Sequence, residues 1–442
     1  VKRKLTLAQM VTYAIGELGV TIVPQVVVGW LLYFYAPPAG EGKLTYVPIV
    51  YLGILSSLGR VSEAVSNPLV GHFSDRIRTR WGRRLPFIIF GTPILALSFI
   101  LMWFPLTRGP SLANTIYLGI MLITFWISFA AVVAPYLSLL PEITPYNRER
   151  IVLSSWMALF DVIGLLMASI LVGTIVDKFS QGVEIFGIHI GDGFKIVGLL
   201  FGALTFFCFF SVVIMIRETR HSVKKEVPFS MVRAGMECFR NPSFPPFVLA
   251  ASCSTIGIEM VVAVIPFLVK VVMRSTETVA GLTQGLIVIL AALFFPLVNK
   301  LAEKYGKKRV YLGSLVGFGV LLSLIPTIGH WPVIPPVGQG FVIFGFAALP
   351  LSISLVLYRP IVADVIDYDE RLTGYRREAM YNGMEGLITK SASALAVILI
   401  TQLFYRFGNT VDSPMGIRLV GPVAGLMTFL GFLIFLRYPI KK

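Results

Sequence analysis

Residues 60–86 read R-V-S-E-A-V-S-N-P-L-V-G-H-F-S-D-R-I-R-T-R-W-G-R-R-L-P. The stretch starts inside an apolar run from Tyr46 to Phe73. At about 1.5 Å of rise per residue, such a run crosses a hydrocarbon core of roughly 30 Å as a helix. Yet it carries Arg60 and Glu63, and helical spacing puts Ser56, Arg60, Glu63 and Asn67 on one face. Charge in the hydrocarbon region is costly, so that face must look into protein or water. The run then ends in Arg76, Arg78, Arg80, Arg83 and Arg84, which predicts a cytoplasmic turn by the positive-inside rule.

Composition agrees with a membrane chain. Of 442 residues, 56% are hydrophobic and only 14% charged, whereas a soluble chain is about one quarter charged. The net charge of +15 does not point to nucleic acid, because the basic residues fall in short turns between apolar runs and form no long basic stripe. Lipid is the expected macroscopic partner. Cys208, Cys238 and Cys253 have neither disulfide nor metal spacing. The N-terminal apolar run is too long for a cleaved leader and lacks a small-residue cleavage site.

The apolar runs predict an all-α membrane protein of twelve transmembrane helices in two six-helix bundles, with both termini cytoplasmic. Residues 1–216 form the first bundle, 217–243 a cytoplasmic linker with an amphipathic helix near Ser230 to Arg240, and 244–442 the second bundle. An internal repeat supports the division. Pro68-Leu-Val precedes Asp75 and the basic turn after it, and Pro296-Leu-Val precedes Glu303 at the same interval, again before basic residues.

No nucleophile elbow, Walker loop or H-E-x-x-H is present, and the four histidines are scattered, so neither an enzyme nor a nucleotide-driven pump is expected. No cofactor or metal is expected either. Isolated ionisable residues at membrane depth remain, the pattern of a secondary transporter. Arg60 and Glu63 either brace helix 2 or couple an ion. Glu17, Asp161, Glu259, Glu385 and Lys390 either line a substrate cavity or are satisfied inside packed helices. Lys390 shares its face with Asn382, Gly383, Gly386 and Ser393, which leaves room around its head. Asp75, Arg76, Arg80, Arg84, Glu303, Asp364 and Asp367 sit at helix ends and are expected to form a cytoplasmic gate.

N-P-L-V-G with S-D-R-I-R-T-R-W-G-R-R-L-P, and A-D-V-I-D-Y at Ala363 to Tyr368, resemble the glycoside-pentoside-hexuronide:cation symporters, the melibiose-permease branch of the major facilitator superfamily. Lys390 falls where that family keeps a helix 11 lysine. The resemblance implies alternating-access symport of a small solute by a chain acting as a monomer. In the family's cation-coupled members helix 2 carries two acids, in a pattern like W-D-A-x-x-D-P. Here S-E-A-V-S-N-P leaves Glu63 alone and puts Asn67 at the second position. A single buried carboxyl suits a proton better than sodium, which wants several charged oxygens. The family's sugar-gripping acids correspond to Leu18 and Val133, so galactoside recognition does not carry over. Proton-coupled symport of a glycoside or hexuronide is therefore expected. Uncoupled facilitation, sodium-linked transport of a lysolipid-like amphiphile, and a non-transporting membrane sensor stand as alternatives.

Overall fold

The computed structural model describes residues 5–39, 42–77, 79–144, 147–185, 188–215, 231–374 and 377–440. Eleven helices among them are long and apolar enough to cross a membrane. They are α1 (Leu7–Tyr35), α3 (Leu85–Met102), α4 (Leu112–Ile143), the run from α5 (Asn147–Leu166) to α6 (Val172–Lys178), α7 (Gly193–Met215), α9 (Phe244–Phe267), α10 (Glu277–Tyr305), α11 (Lys307–Ser323), α12 (Pro336–Thr373), α13 (Glu378–Phe407) and α14 (Met415–Phe435). Helix α2 (Ile49–Arg76) matches them in length, at 28 residues. Its charged residues keep it out of that apolar set.

Contacts divide the chain into two compact units. Unit 1 comprises Val1–Pro37, Leu44–Lys224 and the short piece Thr276–Leu282. Within it α2 packs on α4, α3 on α4 and α7, and α1 on α5 and α7. Close approach needs small residues. A Cβ on Gly16 would lie 2.7 Å from the Tyr136 ring, so only glycine lets Tyr13 and Tyr136 stack at 4.7 Å. Each tyrosine hydroxyl then donates to the other's backbone carbonyl, locking α1 to α4. In the Thr276–Leu282 piece, Glu277 accepts a bond of 2.7 Å from the buried Tyr33 hydroxyl.

One apolar span, Glu149–Lys178, runs from α5 through α6. Its backbone widens into a π-helical turn at Met167–Leu171 between α5 and α6. The loop that follows holds an unforeseen hairpin, β1 (Val183–Ile185) against β2 (Ile188–Ile190), paired antiparallel with Glu184 opposite His189. Its strands are three residues each, too short for a periodic signal in sequence.

Unit 2 comprises Lys225–Ser275, Thr283–Lys442 and Pro38–Lys43. Helix α9 packs on α13 and α14, and α11 on α12 and α14. The amphipathic helix of the linker is present as α8 (Met231–Arg240), whereas linker residues 217–230 lie outside the described residues. It is docked, with Cys238 fully buried in the unit 2 core beside Phe244, Val365 and Tyr381. Arg377 fastens it. The guanidinium forks onto Asp369 at the end of α12, at 2.9 and 3.0 Å, and also pairs with Glu237 of α8. Asn241, just beyond α8, donates to the Val365 carbonyl (3.0 Å) and the Tyr381 hydroxyl (3.2 Å). Gly374 ends α12 in the left-handed conformation (φ 75°), which turns the chain back toward Arg377.

This clamp predicts a thiol signature. Burial pushes the Cys238 thiol up to about 12, against the pull of Arg377, so it is both shielded and protonated at neutral pH. Leaving the buried Asp369 carboxylate without its guanidinium costs about 3–5 kcal/mol. Arg377→Ala is expected to loosen α8 and make Cys238 react with a maleimide at least about tenfold faster than in the native chain, a 1.4 kcal/mol shift in docking being enough. Mass spectrometry of the alkylated protein, with Cys208 and Cys253 replaced by serine, reads the rate.

Candidate functional site

Unit 1 holds the predicted helix 2 pair. Arg60 Nη1 lies 3.3 Å from Glu63 Oε2, with the Glu63 side chain only 3% exposed. The guanidinium carbon sits 4.2 Å from the centroid of Trp126 on α4. Desolvated, such a cation–π contact contributes about 2 kcal/mol. A Cβ on Gly59 would fall 2.6 Å from Trp126 Cδ1, so glycine there is what admits the indole. Asn67 points elsewhere. Its amide donates to the Glu63 carbonyl at 3.1 Å, just before Pro68, whose missing N–H interrupts the backbone ladder. Trp126 was not singled out from sequence, because one aromatic in an apolar helix reads as ordinary core.

A second polar group in unit 1 joins α1 to α5. Thr21 donates to Asp161 Oδ1 at 2.5 Å. Gly164, one turn past Asp161, faces Thr21, whose Cβ would be 3.1 Å from a Cβ there, so the two helices touch where this bond forms. Glu17 lies one turn from Thr21 with its Oε2 enclosed and without a hydrogen-bond partner, and the Tyr136 hydroxyl and Asp161 are near its carboxyl. Leu18 and Val133 are buried apolar side chains.

Unit 2 brings Glu259, Glu385 and Ser393 into one polar file. Ser393 donates to Glu259 Oε1 (2.7 Å) from α13 to α9. One turn back, the Thr389 hydroxyl is shared between the Glu385 carbonyl (2.9 Å) and Glu385 Oε1 (3.1 Å). Tyr358 of α12 also donates to Glu385 Oε1. Lys390 is half-buried on the same helix. Of these, the hydroxyls of Thr389 and Tyr358 were missed; the i, i+4, i+8 spacing of Glu385, Thr389 and Ser393 is the signal that finds the first of them.

Among the described helix-end residues, Asp364, Arg84 and Arg80 have partners within their own units. Asp364 pairs with Lys307 at the start of α11, inside unit 2. Asp367 is half-buried and Glu303 is exposed. Arg84, ahead of α3, donates to the Ser138 carbonyl of α4, and Arg80 lies over the Trp81 ring at 4.6 Å. The Asp75 and Arg76 side chains lie outside the described residues. Asp369, Glu237 and Arg377, which sequence reading passed over, make the tightest charged group at this end of unit 2. Among the described residues no three His, Cys, Asp or Glu side chains are grouped to hold a metal ion.

The intramembrane carboxyls meet two kinds of partner: Glu63 has the Arg60 guanidinium beside it, while Asp161 and Glu385 accept from hydroxyls. The Gly59 contact gives a direct test of the first. Gly59→Val forces the indole off the guanidinium, and such overpacking costs about 1–3 kcal/mol. A lower melting temperature in detergent, partly restored by adding Trp126→Leu, is expected in fluorescence size-exclusion scans.

The family model described as MFS/sugar transport protein matches residues 12–442. The chain is 25% identical over 450 residues to a glucuronide carrier protein homolog of Escherichia coli, covering 99% of this chain and 93% of that one. It is 23% identical over 406 residues to the isoprimeverose transporter of Lactiplantibacillus pentosus, covering 88% and 78%. Among solved structures, a point mutant of the nucleoside transporter NupG superposes with a TM-score of 0.73 at 10% identity, covering 97% of this chain and 99% of that chain, a likeness of fold alone. With its long apolar helices, isolated intramembrane carboxyls and family match over nearly its whole length, the chain belongs to the MFS/sugar transport protein family and is a multi-pass secondary transporter, not an enzyme.

Proposed function

We propose that this protein is a proton-coupled symporter of a small polar solute, a glycoside or hexuronide, within the glycoside-pentoside-hexuronide:cation branch. The observation that carries this reading is the Arg60–Glu63 pair against Trp126, with the Asn67 amide turned to the backbone. Helix α2 thus offers one carboxylate where a sodium site of this kind wants more. When Glu63 takes a proton, its attraction to Arg60 is lost, so protonation and the packing of α2 on α4 are linked. The glucuronide carrier homolog and the isoprimeverose transporter bear names that fit such solutes.

In this reading α2 is the twelfth span and both termini are cytoplasmic. Residues 1–216 and 244–442 act as two bundles that rock about a central cavity, and 217–243 tether them. Glu17, Asp161, Glu259, Glu385 and Lys390 serve the cavity. Asp75, Arg76, Arg80, Arg84, Glu303, Asp364 and Asp367 bias the state closed to the cytoplasm. The protein works as a monomer in the cell membrane. Uncoupled facilitation is the second reading, favoured by Asn67.

Purified protein in proteoliposomes, given a panel of labelled glycosides and hexuronides under imposed pH or sodium gradients, tests the proposal. Concentrative uptake is expected with the pH gradient and not with sodium alone. Glu63→Gln is expected to reduce pH-driven accumulation to simple equilibration while binding persists; full accumulation in that variant sinks the coupling role. Asn67→Asp restores the two-acid pattern and is expected to add sodium dependence, read as a sodium-stimulated initial rate.

A further inference from the structure

The carboxyls of the membrane interior differ in what neutralises them, and on Glu385 two hydroxyl groups converge. Glu385 is 7% exposed. Among the described residues its contacts are hydroxyl groups: Tyr358 and Thr389 converge on Oε1, and nothing is bonded to Oε2. Among the described residues no cation is paired with it or with Asp161, whereas Glu63 has Arg60. The carboxyl thus meets neutral donors on one oxygen, and the other is left for a further partner.

The position suits exchange. Glu385 lies seven residues into α13, roughly 10 Å from its start. Thr389 and Ser393 follow at one-turn intervals on the same face, and Ser393 reaches Glu259 on α9. The two carboxyls therefore stand about 12 Å apart along the helix, with hydroxyls between them. The groups around Glu385 are few. Helix α12 presents Tyr358 and Arg359, α9 presents Glu259, and α13 itself carries Glu378, Tyr381 and Lys390. Glu237 of α8 is engaged by Arg377, and Arg418, the one charged residue of α14, is bonded to the Pro326 and Ile328 carbonyls.

We propose that Glu385 carries a translocated proton in unit 2, with Tyr358 and Thr389 as its hydrogen-bond donors and Ser393 and Glu259 continuing the path toward the middle of the membrane. This rests on the symport reading and adds a carrier to it. Loading forms an O–H bond on Glu385 Oε2 with a proton taken from water. Release breaks that bond, returns the proton to water, and leaves a carboxylate whose charge the two hydroxyls stabilise on Oε1.

Two readouts on the reconstituted full chain test it. The first is the infrared difference spectrum between acidic and alkaline buffer, which needs no solute. Glu385→Gln is expected to remove one component of the protonated-carboxyl band, while Glu303→Gln, at an exposed helix end, leaves that component in place. The second uses methyl β-glucuronide and isoprimeverose as probes. Glu385→Gln is expected to keep counterflow, which needs no net proton movement, and to lose at least about tenfold of pH-driven accumulation, equivalent to 1.4 kcal/mol of coupling. An unchanged carboxyl band in Glu385→Gln overturns the proposal. If the native protein accumulates neither probe, the symport reading fails for these solutes and the infrared result alone decides whether Glu385 holds a proton. Should Glu385→Gln not fold, Glu385→Asp keeps the carboxyl but draws it back from Tyr358; a shifted band is then expected, and an unshifted one overturns the proposal.

Discussion

The desolvation of charge inside the hydrocarbon region governs how this chain is put together. Four carboxyls of the described spans are matched to groups on other helices or one turn away: Arg60 for Glu63, Thr21 for Asp161, Ser393 for Glu259, Tyr358 and Thr389 for Glu385. In water these contacts would contribute little, since exposed ion pairs give at most about 1 kcal/mol. Between packed helices the alternative is an unsatisfied charge, so the same contacts fix which faces of α1, α2, α9 and α13 turn inward.

Packing serves these matches. Trp126 reaches the Arg60 guanidinium because residue 59 has no side chain, and α1 approaches α5 closely enough for the Thr21 bond because residue 164 has none. Aromatic groups complete the interior of unit 1, with Trp103 and Phe194 stacked at 5.6 Å and Tyr13 locked to Tyr136. At one end of unit 2 a charged group with better geometry appears, the Arg377 fork onto Asp369 and Glu237. There the linker helix α8 is a packed part of the unit, and Cys238 is enclosed beneath it.

The sites contrast in what surrounds the carboxyl. Glu63 has the Arg60 guanidinium beside it, and Glu385 accepts from the Tyr358 and Thr389 hydroxyls. The proposed proton coupling assigns a part to each. Leu18 and Val133 are buried apolar side chains of unit 1.

The sequence by itself determined the class. Apolar runs of spanning length, arginine-rich turns and the Pro68 and Pro296 repeat are one-dimensional patterns, and hydropathy reads them because an unpaired backbone has no place in lipid. The Arg60–Glu63 pair was legible for the same reason, being three residues apart on one helix. So was α8, from its amphipathic period. What only the tertiary structure decided lies between helices. Trp126 under Arg60, Thr21 on Asp161, Tyr358 on Glu385 and Glu237 on Arg377 join residues 27 to 140 positions apart, and such a partner carries no local signal. The turning of Asn67 to its own backbone was equally hidden. Its position on the inward face follows from helical spacing, but the bond of its amide to the Glu63 carbonyl appears only in the folded helix.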